Sequence, residues 1–201
     1  MNPAAGMASA WAMARGEPGW EARTDMSVGG VFASFWAVSL ALPAIILTSE
    51  VGRRAQLEQP GATGLPLSDG PLLFAVASVL AALLCWGGSL VVLAALARRA
   101  SDGWRVSPLI VGYNWSRLIV DLVAGLGAAI AVGTGLLPVA GVFGAVSGGL
   151  RLFLDLGVIR HALGIALGQA LGAYLVVLLL RFVAGVLVVV PLVFLSGGAP
   201  G

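Results

Sequence analysis

VGYNWSRLIVDLVAG, residues 111–125, carries an amide, a guanidinium and a carboxylate (Asn114, Arg117, Asp121) inside an otherwise apolar run. The run, 108–135, exceeds the roughly 20 residues that a helix needs to cross about 30 Å of hydrocarbon. On a helix the three polar residues stand at i, i+3 and i+7, so they share one face, which Gly125 continues. A charge at the bilayer centre costs at least ~2.5 kcal/mol, so such a face turns away from lipid and seeks a partner. The stretch therefore reads as one span of a bundle.

The rest of the chain supplies the bundle. Of 201 residues, 59% are hydrophobic and only 10% charged, where a soluble domain has about 25% charged. Together with a mean hydropathy of +1.02, this predicts an integral membrane protein. Five apolar segments are expected as helices, over 31–48, 71–97, 108–135, 138–159 and 164–195, because backbone groups in lipid must be satisfied within the segment. Pro43 is expected to kink or end the first early, and GTGLLPV (133–139) to separate the third from the fourth. Residues 1–27, with Arg15, Glu17, Glu21, Arg23 and Asp25 and no long apolar core, read as a disordered or loosely ordered cytoplasmic tail with no cleavable signal peptide. Residues 49–70, rich in Gly, Pro and charge, read as an irregular outer loop.

Arginine placement sets the expected orientation. Arg15, Arg23, Arg98, Arg99, Arg105 and Arg160 fall on one side, and Arg53 and Arg54 on the other. The positive-inside rule then puts the N-terminus in the cytoplasm and the C-terminus outside. All eleven basic residues are Arg; with the abundant Gly, Ala, Val and Leu this points to GC-rich codons and a bacterial inner membrane. The net charge of +2 gives no reason to expect nucleic acid.

In the fourth segment Gly141, Gly144, Gly148, Arg151 and Asp155 repeat the spacing of the third. At 1.5 Å per residue, Arg117 lies about 13 Å and Asp121 about 20 Å from the cytoplasmic edge; Asp155 and Arg151, on the returning helix, lie about 8 and 13 Å in. Arginines lean toward their own helix N-terminus. The expected pairs are therefore crossed: Arg117 with Asp155 and Arg151 with Asp121. The bland reading is a lock that holds two antiparallel helices in register; the sharper one is an ion path. Arg181 finds no acidic partner by this reasoning; snorkelling to headgroups, capping of carbonyls at the Pro138 or Pro43 breaks, and contact with another subunit stay open for it. Gly144 with Gly148, and Gly164, Gly168 and Gly172, stand at spacing four, expected to serve helix packing within the chain or between copies.

Two patches carry a family likeness. DMSVGGVFASFWAVSLALP (25–43) and VGYNWSRLIVDL (111–122), with IRHALGIALGQALGAYLVVLLL (159–180) as a third, resemble an uncharacterised family of alphaproteobacterial inner-membrane proteins marked by Tyr113, Asn114, Trp115 and Ser116. Five helices are also similar, in topology alone, to the Yip1-like architecture. The resemblance implies fold and compartment and transfers no catalytic residue. Arg181 departs from the family, which keeps an apolar or acidic residue there.

Chemistry is thin. Cys85 stands alone as a small packer, His161 reads as a solvated or headgroup-facing residue at a helix end, and Ser116 and Ser147 have no histidine at plausible distance. No catalytic residue, metal site or cofactor is expected. The expected function is a non-catalytic membrane protein: an accessory subunit, scaffold or assembly factor that binds other membrane proteins or lipid. The alternative is a small transporter or channel, a homo-oligomer among its forms, using the charges of the third and fourth segments.

Overall fold

A computed structural model of the chain describes residues 2–58, 70–100 and 104–197, with side chains for all of these but 100 and 188–197. Parts of two expected connections, 59–69 and 101–103, lie outside the described residues. The described chain is helical: α1 (Pro3–Arg15), α2 (Trp20–Arg23), α3 (Val28–Ser34), α4 (Trp36–Leu57), α5 (Pro71–Ala100), α6 (Val106–Thr134), α7 (Leu137–Leu163) and α8 (Leu167–Gly197). Among the described residues, five runs are long and apolar enough to cross a membrane: α3 with α4, then α5, α6, α7 and α8. α6 is the central element, packed against α1, α3, α4, α5 and α7.

The boundary between α6 and α7 falls inside GTGLLPV. Gly135 closes α6 at φ 74, a left-handed conformation that glycine adopts at no steric cost, and Pro138 sits in the first turn of α7, where its missing N–H is no loss. The first span differs from expectation. α4 continues past Pro43 to Leu57 without ending early, so 49–57 are helix and not loop. Prolines are tolerated inside membrane helices because neighbouring groups take up the freed backbone. The discontinuity lies at Phe35, where the bonds tighten to i,i+3: Phe35 N donates to Phe32 O (3.1 Å) and Val38 N to Phe35 O (3.0 Å).

The expected loose tail over 1–27 is corrected by α1. Asn2 caps it, its side chain accepting from Ala4 N at 3.0 Å, Pro3 opens it, and Gly16 ends it at φ 64. This is the Asn-Pro start and Gly stop that favour a helix. α1 lies along α7 in the same direction: Trp11 meets Phe153 ring to ring at a tilt of 57°, centroids 5.8 Å apart, Ala14 abuts Gly157, and the His161 ring lies over Gly16. It runs against α6, where Met13 touches Gly112 and Gly6 faces the Trp115 indole. The segment packs because only Arg15 is charged across its length.

Glycine roles are redistributed too. At Gly144, Gly148, Gly168 and Gly172, expected to pack helices within the chain, an added Cβ would meet nothing within 4 Å. Gly164 closes α7 at φ 63 beside the Arg105 guanidinium. Close approach occurs instead at Gly125 against Ala44, Gly127 against Phe143, and Gly157 against the Ala14 backbone. Burial on a face decides which glycine matters, and spacing four does not encode burial.

At the start of α3, Asp25 Oδ1 accepts from the Ser27 hydroxyl (2.6 Å) and Ser27 N (3.1 Å), while Ser27 Oγ caps Gly30 N at 3.0 Å. The Ser27 hydroxyl, then its N–H, hold the Asp25 carboxyl below its ordinary value of 3.8. A depressed folded value contributes stability above the ordinary value and loses it as pH falls through the folded one. Acidification below about pH 4 should therefore lower the protection of the Gly30 amide against exchange, taken relative to the intrinsic rate at each pH. Asp25→Asn should remove that loss of protection; a Gly30 protection factor that ignores pH in the parent protein would refute it.

Candidate functional site

The buried face of α6 organises the polar interior. Each member of the Tyr-Asn-Trp-Ser stretch is buried, and each has its own contact. Asn114 bridges two other helices: its Oδ1 accepts from Trp86 Nε1 of α5 (2.8 Å), and its Nδ2 donates to Ser34 Oγ of α3 (2.9 Å). The Tyr113 hydroxyl accepts from Arg181 Nη2 of α8. Trp115 receives α1 at Gly6. Ser116 donates to the Tyr113 carbonyl at 2.9 Å, a local bond that keeps its hydroxyl proton within α6.

The charges assemble beside this stretch. Of the two expected crossed pairs one forms: Arg151 Nη2 lies 3.2 Å from Asp121 Oδ1. The other does not. Arg117 Nε lies 3.4 Å from Asp121 Oδ2, one turn along its own helix, and its guanidinium sits 5.7 Å from the Trp86 ring centroid. Asp155 is taken by Arg181, whose Nη2 is 3.0 Å from Asp155 Oδ2. Arg181 thus turns inward and does not snorkel.

The sequence signal for this pair was the arginine's lean. Asp155 lies about 12 Å from the end of α7 and Arg181 about 21 Å from the start of α8, and a long side chain that leans toward its N-terminus closes much of that difference. Two acids and three arginines now share one interior, joined through α6, α7 and α8. Asp121 holds two guanidiniums, and Asp155 and Tyr113 hold the third. Several polar atoms there are buried without a hydrogen-bond partner, among them Arg117 Nη1, Arg151 Nε and Asp155 Oδ1. The arrangement can fix three helices to one another, and it keeps a surplus of one positive charge in the interior.

A groove of about 460 Å³ opens between α4, α6 and α7, its walls mostly small residues such as Gly52, Ala124, Ala128, Gly141 and Gly144. Elsewhere, His161 Nδ1 lies 2.9 Å from Gly157 O and the ring is half-buried over Gly16, so it is a packing residue at the α1 docking site and not a solvated one. The partly buried Cys85 Sγ donates to Arg181 O at 3.6 Å, tying α5 to α8.

Neither a protein-family model, nor a curated protein, nor a solved structure matches the chain.

Proposed function

We propose that this is a non-catalytic protein of a bacterial inner membrane, N-terminus in the cytoplasm and C-terminus outside, acting as an accessory subunit, scaffold or assembly factor for another membrane protein. The observation that supports it is the outer face of α8. Gly168 and Gly172 are exposed with open space above them, opposite the buried Ala170, Tyr174 and Val177 that hold α8 to the bundle. Small residues at spacing four let a second helix approach to backbone distance. Leu175 and Leu179 extend this face as exposed apolar side chains.

The test is purification in mild detergent with mass spectrometry of what accompanies the chain. A stoichiometric membrane partner, or a second copy, should be lost in Gly168→Leu with Gly172→Leu while the bundle keeps its thermal midpoint. A partner retained by that variant refutes the α8 interface. A second reading, a small transporter or homo-oligomeric channel, is favoured by the groove whose walls lead to Asp121 and Arg151. It requires flux that a folded Asp121→Asn variant has lost.

A further inference from the structure

The first span fixes where the hydrocarbon sits. Residues 26–49 carry no charge, while Asp25 precedes them and Glu50, Arg53 and Arg54 follow. Hydrocarbon about 30 Å thick takes about 20 residues at 1.5 Å each, so its boundary on the Asp25 side lies no deeper than about residue 30. Packing carries that level across the bundle. Ser34 bonds Asn114 and Ala44 abuts Gly125, so the first span runs the same way as α6, and residue 30 is level with about 110. Gly112 faces Val158 and Gly127 faces Phe143, which sets 110 level with about 160 on α7. The partners of α1 then lie inside the boundary: Gly112 by about 3 Å, Gly157 by about 5 Å, Trp115 by about 8 Å and Phe153 by about 10 Å. Phe32, level with Gly112, is 72% exposed, as a lipid-facing side chain is.

The composition of α1 suits that layer. From Pro3 to Ala14, Ser9 is the only hydroxyl, amide or charged side chain. It is turned inward, sharing a hydrogen bond of 2.6 Å with the buried Thr24 hydroxyl. At the helix start Pro3 has no N–H and Ala4 N is capped by Asn2, so few donors are left open. The face turned away from α6 and α7 presents Ala4, Ala8 and Trp11 at i, i+4 and i+7, all exposed. Charge returns only at Arg15, at the end of α1 nearest the boundary and within snorkelling reach of it.

We propose that α1 lies within the acyl layer of the leaflet at the N-terminal end of α6, a partial-depth helix beside the five spans, with lipid chains covering Ala4, Ala8 and Trp11 and headgroups meeting Arg15. Depth chooses the occupant of this face, because acyl chains are the solvent about 5–10 Å below the headgroups. This placement goes beyond the proposed function. It needs the five spans to cross a membrane, and depends neither on their orientation nor on the α8 interface.

The test uses the full chain in a Cys85→Ala background, with one nitroxide attached at Ala8→Cys, Arg15→Cys, Leu122→Cys or Glu21→Cys, in nanodiscs of phosphatidylcholine. Electron paramagnetic resonance reads collisions of each label with oxygen, which concentrates in hydrocarbon, and with a water-soluble nickel chelate. Leu122, exposed near the middle of the α6 span, sets the lipid limit, and Glu21, exposed on α2, sets the water limit. Ala8 is exposed, so its label displaces no packed side chain. The oxygen-to-nickel ratio at Ala8 should match Leu122, exceed Glu21 severalfold, and fall between Ala8 and Arg15. A ratio at Ala8 as low as that at Glu21 would overturn the placement, since α1 would then lie in water. Few collisions with either reagent at Ala8 would overturn it too, since protein would then cover this face. A water reading at Leu122 would overturn the spans themselves, and α1's placement with them, which tells that failure apart from a water reading at Ala8 alone.

Discussion

Asp155→Ala should destabilise the protein by about 3–5 kcal/mol, the cost of removing one partner from a buried ion pair. Asp155 is 1% exposed, and Arg181 faces it from α8 at 3.0 Å. Without the carboxylate, the guanidinium keeps only the Tyr113 hydroxyl as an acceptor among its described side-chain bonds. The loss therefore comes mainly from an uncompensated cation, and little of it from a missing attraction. Adding Arg181→Met should then recover a large part of the stability, since an apolar pair of similar volume is often no worse than the buried ions. The two substitutions should be strongly non-additive. Midpoints of SDS-induced unfolding of the detergent-solubilised protein measure both effects. A shift for Asp155→Ala no larger than that of an exposed substitution such as Glu21→Ala would show that the pair does not hold α8 to α7.

Gly157→Val should detach α1. A Cβ at Gly157 would run into the carbonyl oxygen and Cα of Ala14, which are backbone atoms and cannot swing aside as a side-chain tip can. Overpacking typically costs about 1–3 kcal/mol, and α1 can escape it by undocking as a unit. A cysteine placed at Ala10, which is fully buried, reports this directly. It should label slowly in the parent background, and about tenfold faster or more once Gly157→Val opens the local equilibrium by about 1.4 kcal/mol or more. Gly144→Val, which enlarges a glycine facing open space, should leave the rate unchanged. Equal labelling in all three backgrounds would mean that α1 is not held by this contact.

These expectations divide along the line between what the sequence carries locally and what it carries only through the bundle. The five spans and the turn at Gly135 and Pro138 are local: apolar length and two residues with special backbones decide them. The Arg151–Asp121 contact was also legible, because depth and side-chain lean both follow from helix geometry. Arg117 escapes this logic because Asp121 lies one turn away on its own helix, and Trp86 offers the guanidinium a ring face; neither depends on depth. Depth within the third and fourth segments does not point to the partner of Asp155, which comes from the next helix. The glycines differ from their spacing for a related reason. Gly144 and Gly172 share the spacing that permits close packing, whereas Gly125 and Gly157, which do pack, are marked only by what stands opposite. α1 was hidden by grouping Asn2–Arg15 with the charged residues that follow, although its Asn-Pro start and Gly16 stop were in plain sequence.

The docking of α1 also orders events during synthesis. Trp11 rests on Phe153 and Gly16 under His161, about 140 positions later in the chain. At roughly 5–20 residues per second, the ribosome needs roughly 7–28 s to make that partner. α6, which takes Met13 at Gly112, is made about 40 residues sooner, but through that interval the side of α1 that meets α7 has no partner, so α1 is fully seated only after α7 is made. Its birth-to-docking delay is a period in which that apolar side is open to capture by chaperones, proteases or neighbouring chains.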